Sequence, residues 1–254
     1  MFWFRKALNA NWPDAIARAL DKAKAPVRFW WRDDDAGDIS PSLERLLSMS
    51  RQLRAPVNLA VIPARLTPAL IDAMREYRDI DVLVHGWAHR SHSIGREKKC
   101  EFPMTRSMEE MRTDLSTALS RLREAFPENT IPVFVPPWNR FPSALAPMLK
   151  ECGYVGLSTA SSSAPGPIMG KDGLRRSDAH FSLVTIKAEP EPVDMMEIAK
   201  RMAKQIGAGS NGPFCIVTHH RAHNDAIWTY CEQLWRLLGN HRNAEIVRAR
   251  AIFC

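Results

Sequence analysis

An α/β barrel, a single domain across residues 1–254, is the fold this sequence predicts. Short, near-continuously apolar runs recur along the chain, as strands buried on both faces require. Amphipathic segments separate these runs, and no linker-like stretch divides the roughly seven strand–helix units. Strand followed by helix, repeated, demands parallel pairing through crossovers. A doubly wound open sheet is the alternative, because periodicity cannot reveal closure.

The candidate strands are Val27–Arg32, Val57–Ile62, Ile80–Val84, Ile131–Val135, Tyr154–Leu157, Phe181–Ile186 and Phe214–Thr218. Residues 41–54 open with proline, which suits a first helical position, and Leu43, Leu46, Leu47 and Leu53 can share a stripe. Residues 107–126 open with Ser107 and carry Glu110 three positions later, a capping-box pattern. Residues 67–77, 142–151, 193–206 and 225–238 complete the helices. The Gly-, Pro- and Ser-rich stretch Ser161–Gly173 reads as a rim loop.

With 45% hydrophobic and 25% charged residues the chain is neither disordered nor collagen-like. Its net charge of +7 favours anionic partners, although the excess is scattered rather than gathered in one arm. Five cysteines (Cys100, Cys152, Cys215, Cys231, Cys254) form no C-x-x-C pair, so neither a disulfide frame nor a cysteine zinc site is expected. No secretory leader is recognisable in the first 20 residues, and no run reaches the ~20 apolar residues of a membrane span. The expectation is a cytoplasmic protein, with oligomeric state left open.

The unusual polar residues fall at strand carboxyl ends, where parallel α/β folds build their sites. Asp33, Asp34 and Asp35 follow the first strand, His85 and His89 (HGWAH) the third, Pro136–Asn139 (PPWN) the fourth, and His219 and His220 the last. On one helical turn, His85 and His89 would point the same way and share a cation; alone, the pair fits a solvated loop equally well. Three adjacent carboxylates repel one another unless a cation or basic group gathers them, and otherwise read as a helix-capping cluster. Two imidazoles and one carboxylate make an open, catalytic donor set for zinc, cobalt or nickel. Trp87 and Trp138 suit either core packing or stacking on a flat ligand. His92, His180 and His223 read as supporting or solvated groups. The run Arg96-Glu97-Lys98-Lys99 reads as a solvated loop, and without aromatic interleaving nucleic-acid binding is not expected.

As an ordered set, Asp-Asp, H-x-x-x-H, Pro-Pro-aromatic and a strand ending in histidine resemble the polysaccharide deacetylase superfamily (carbohydrate esterase family 4), over residues 27–238. The resemblance implies a distorted (β/α)7 barrel that removes an acyl group, chiefly N-acetyl, from a carbohydrate or related small substrate. It implies Asp34 as general base and His219 as general acid, with Asp33–Asp34 and His220 as the other registers. Asp35, His85 and His89 would hold a divalent metal, zinc first, and Trp87, Pro137, Trp138 and Asn139 would line the substrate. The family's arginine before the prolines orients the base; here Val135 stands in that place. That departure favours an inactive barrel binding a sugar or metabolite, and a cyclic imide or ureide amidohydrolase is a further alternative. Asp178 only loosely matches the family aspartate that braces the acid.

Overall fold

The computed structural model describes residues 11–161, 163–166, 169–185 and 191–254. Its strands are β1 (Val27–Ala36), β2 (Val57–Val61), β3 (Val82–His85), β4 (Thr130–Val135), β5 (Gly156–Leu157), β6 (Arg175–Arg176), β7 (Ala179–Ser182), β8 (Val184–Thr185), β9 (Glu191–Pro192), β10 (Phe214–Thr218) and β11 (Ala244–Ile246). The helices are α1 (Trp12–Asp21), α2 (Pro41–Leu53), α3 (Pro68–Met74), α4 (Met108–Ala125), α5 (Ala146–Glu151), α6 (Met195–Gly207), α7 (Asp225–Asn240) and α8 (Arg250–Phe253).

The main sheet runs β6-β5-β4-β3-β2-β1-β10-β7, with every pair parallel. Ala160, just beyond β5, pairs with Ala179 of β7. Segment 175–182 is thereby bonded to the β5 side and to β10, so the sheet curls on itself as a distorted (β/α)7 barrel. β11 lies beside the start of β1, below the point where β2 joins it.

Period-two alternation sorts each strand between two cores. Phe29, Trp31, Leu59, Val84, Phe134 and Ile216 face outward and pack under the helices. Trp30, Ala60, Leu83, Val133, Val135, Cys215 and Val217 face the barrel axis. Ala249, Ile252 and Phe253 close the bottom of that inner column, with Trp30 edge-on to Phe253 at 5.8 Å. Gly156 must lack a side chain here, because a Cβ would run into the Phe253 ring.

Several sequence expectations shift. β1 does not end at Arg32: pairing with β2 and β10 on both sides carries it through all three aspartates. The predicted strand 181–186 divides into β7 and β8, with Ile186 outside the described residues, as are residues 162, 167 and 168 of the predicted rim loop and residues 1–10. The predicted helix 142–151 is a 3-10 turn (Ser143–Leu145) followed by α5. Ser107 accepts the Glu110 N–H at 3.4 Å, one half of the anticipated capping box. The sequence reading missed α1, whose Trp12, Ile16 and Leu20 recur every fourth residue and are buried. It also missed the short elements β6, β9, β11 and α8, all too brief for a periodic signal.

His180 of β7 takes the place of a ladder bond: its Nδ1 accepts the Cys215 N–H at 3.1 Å. Burial first, with Arg201 adding, pushes its pKa down to about 4, although Asp178 opposes this. The native protein then binds fewer protons than the unfolded chain between pH ~4 and ~6.5, the ordinary histidine value, so stability falls as pH drops through that window. Denaturant midpoints should therefore decrease from pH 7 to 5, and the decrease should be smaller in His180→Gln.

Candidate active site

The last residues of β1 build most of the site by alternation and one irregularity. Arg32 and Asp34 lie on the inward face. Arg32, with no exposed surface, grips Asp34 with two parallel bonds of 2.9 Å, Nε to Oδ1 and NH2 to Oδ2. Its remaining donors reach the Ser158 hydroxyl at 2.7 Å and Asn139 Oδ1 at 3.1 Å. Such a fork fixes a carboxylate in both position and plane.

Asp33 faces outward. Its carboxylate accepts the Thr218 hydroxyl at 2.6 Å and the His220 backbone N–H at 3.1 Å, and lies 2.5 Å from His220 Nδ1. Burial alone would raise its pKa, but the His220 charge and these bonds outweigh burial and lower it. All three partners bracket His219, so the outward aspartate clamps the stretch from which His219 points inward. Its Nε2 stands 3.9 Å from Asp34 Oδ2. His220 is thus buried on the opposite face and away from the barrel mouth.

Strict alternation would send Asp35 outward beside Asp33. Instead the β1–β2 register slips between Asp33 and Ala36, and Asp35 adopts φ 74°. This bulge re-aims the side chain: Asp35 Oδ1 lies 3.2 Å from Nε2 of both His85 and His89. The three donor atoms lie within 4.8 Å of one another. Burial disfavours the charged carboxylate, but the adjacent imidazoles outweigh it and hold Asp35 well below the usual carboxylate range.

His85 ends β3 with its Nδ1 2.9 Å from the Val135 carbonyl; a proton on that nitrogen, donated to the carbonyl, leaves Nε2 as the free lone pair. His89 does not share a helical turn with it. The HGWAH stretch is a bent loop with Gly86 at φ 61° and His89 at φ 55°. Glu101, 1% exposed, holds it in that shape by accepting the N–H groups of Trp87 (3.2 Å), Ala88 (2.7 Å) and Arg90 (3.4 Å). A Cβ at Gly86 would collide with the Glu101 carboxylate, so only glycine fits.

The PPWN turn places Trp138 and Asn139 in the left-handed region at φ 56° and 54°. Such φ values cost a tryptophan roughly 1–2 kcal/mol. They bring the Trp138 ring to 4.5 Å from His89 and the Asn139 side chain to Arg32. Trp87 instead packs against the outer core, and Pro137 is buried against the Gly86 loop. Asp178 accepts from the Thr159 N–H and hydroxyl rather than bracing His219, whose buried Nδ1 has no partner among the described residues. Beyond His219, between β7 and α6, opens a cavity of about 580 Å3 bounded by Asn139, Phe181, Ile198 and Arg201.

The structure therefore gathers Asp34, Asp35, His85, His89, His219, Trp138 and Asn139 on one rim. Sequence reasoning missed Arg32, Glu101 and the clamp at Asp33. Arg32 shares parity with Asp34, a signal that alternation carries; Glu101, on an irregular loop, offers none.

No family profile and no curated protein sequence matches the chain. Solved structures do. A protein from Mycobacterium smegmatis assigned to the polysaccharide deacetylases superposes with TM-score 0.64 at 12% identity, over 90% of each chain. An allantoinase superposes with TM-score 0.59 at 12% identity, over 89% of each. A family 4 acetyl xylan esterase from Clostridium thermocellum, solved with cobalt, superposes with TM-score 0.53 at 12% identity, over 89% of this chain and 90% of that one. The chain thus has the fold of the polysaccharide deacetylases.

Proposed function

We propose that the protein is a metal-dependent hydrolase that removes an acyl group, an N-acetyl amide foremost, from a carbohydrate or related small substrate. One observation carries this reading: a two-imidazole, one-carboxylate donor set lies beside a carboxylate locked by Arg32 and facing a histidine. The donor set fits a divalent ion, since nitrogen and oxygen donors converge, Asp35 is held ionised, and burial and His85 push the pKa of His89 down toward the neutral form a ligand needs. Zinc suits it, as do cobalt and nickel.

Asp35, His85 and His89 would hold the ion. When bound, it would polarise the substrate carbonyl and lower the pKa of water toward about 7. Asp34 takes the proton from the attacking water; Arg32 fixes its carboxylate in position and cannot itself accept a proton. A backbone N–H at Trp138 helps hold the tetrahedral oxyanion. His219, 3.9 Å from Asp34, delivers a proton to the departing amine, and the cavity beyond it takes the leaving group. The interior guanidinium of Arg32 grips Asp34 as the family's arginine before the prolines would, which supports the enzyme reading over an inactive binding module despite Val135. Hydrolysis of a cyclic ureide uses the same groups and differs in its ring-opened product. The superposition on an allantoinase favours keeping this second reading.

With the metal-loaded protein and a panel of acyl amides, esters and cyclic ureides, wild type should release acid or ring-opened product. Asp34→Asn should retain the metal and lose at least about 10²–10⁴-fold in kcat. Turnover that survives in Asp34→Asn and vanishes in Asp33→Asn would reverse the register. Glu101→Ala should weaken metal binding by roughly 10–100-fold, read by titration with zinc, because the HGWAH loop loses its scaffold.

A further inference from the structure

The stretch Arg96–Lys99, which reads as solvated loop in the sequence, lies beside the donor set in the fold. Lys99 Nζ stands 6.0 Å from the centre of the Trp138 ring, whose other neighbour is His89 at 4.5 Å. Arg140 donates to the Lys99 carbonyl at 3.0 Å, tying the loops after β3 and β4 together. On the opposite flank, Arg65 follows β2, sits against Gly37 at the end of β1, and is close enough for its charge to act on His89. Arg90 directly follows His89. Arg65, Arg90, Arg96, Lys98, Lys99 and Arg140 are all exposed, and none forms an ion pair with a described residue.

The acidic groups on these loops, Asp38, Glu97 and Glu101, keep their charge and offset only part of this excess. Asp38 is taken by the Thr67 hydroxyl at 2.6 Å and the Ile39 N–H at 2.8 Å. Glu97 accepts the Ile94 N–H at 3.3 Å, and Glu101 is buried under the loop. Arg106, the remaining cation of the loop, is paired with Asp114 at 2.7 Å. Across the mouth, the His219 side is mixed, with Asp194 and Glu197 facing Arg201 around the cavity. Six unpaired cations against three carboxylates leave the loops on the metal side of the rim with a net positive charge. Lys99, 6.0 Å from a ring that itself touches His89, lies within about the ~8 Å screening length at physiological salt of a substrate against Trp138.

We propose that the substrate carries a phosphate or carboxylate group, held by this cationic half-rim on the side of the acyl amide away from His219. This rests on the hydrolase reading for its location and deepens it by naming the substrate class. Arg and Lys heads at the edge of a partly desolvated mouth both steer such an anion and bind it.

The test compares N-acetylglucosamine with its 6-phosphate and with an N-acetyl amino sugar bearing a carboxylate, using zinc-loaded protein. The anionic substrates should show kcat/KM at least about 10-fold higher at low salt, and the advantage should shrink as salt rises. In Arg65→Glu/Lys99→Glu the ratio of anionic to neutral kcat/KM should fall toward one. A second arm measures equilibrium binding of the same sugars to Asp34→Asn, where no turnover is needed. Equal binding of neutral and anionic sugars there overturns the proposal while leaving the hydrolase reading intact. Hydrolysis of none of them, with anion-selective binding retained, sinks the hydrolase reading instead. Binding of a single-stranded oligonucleotide with no selectivity among the sugars assigns the rim to nucleic acid and overturns the proposal. The phosphate and carboxylate arms identify which anion the rim prefers.

Discussion

Everything in the site depends on how β1 ends. Four consecutive charged residues, Arg32 to Asp35, would repel or neutralise one another if they shared a face. Alternation separates them first: Arg32 and Asp34 turn inward as a bidentate pair, and Asp33 turns outward to Thr218 and His220. The bulge then frees Asp35 from that parity and delivers it to His85 and His89. A single strand end thereby orients a buried carboxylate, anchors the segment bearing His219 and supplies one third of the donor set. The arrangement is tightly constrained, because losing one partner of a buried ion pair costs about 3–5 kcal/mol. Arg32 and Asp34 are thus each a condition for the other's burial.

The barrel interior explains why the guanidinium can come from β1. The column below is apolar and closed by Phe253, and the layer just under the rim holds Val135, Val217 and Arg32. One buried cation satisfies Asp34, Ser158 and Asn139 together, and a second from β4 would have no carboxylate left to meet. Val135 is therefore compatible with a fully formed site. The rim itself is graded in exposure: the Asp34 side chain is 3% exposed and that of Asp35 28%, so Asp34 sits deeper than the carboxylate beside the two histidines.

Much of this was legible in the sequence. The chain order of the strands and the carboxyl-end clustering of polar residues follow from local patterns, because period two and period 3.6 are properties of the chain itself. The choice of Asp35 with His85 and His89 follows from the family resemblance, since alternation alone leaves the three aspartates undecided. Among the missed elements α1 carries an every-fourth-residue pattern that was legible, but most of what was missed has no period: α8 and β11 are short, and Glu101 acts from an irregular loop. The expected helical turn at HGWAH failed for the same reason, since three backbone N–H groups there bond a carboxylate from elsewhere rather than the preceding turn.

By itself, then, the amino-acid order determined which side chains lie at strand ends and which neighbours share a face, since both depend only on residue spacing. Tertiary structure alone decided which way Asp35 turns, that Arg32 meets Asp34, that His219 faces the mouth while His220 is clamped behind it, and that Lys99 comes to lie beside Trp138. Each of these depends on partners from strands or loops far away in the chain, and on a bulge whose position is set by pairing between strands. No local propensity encodes them.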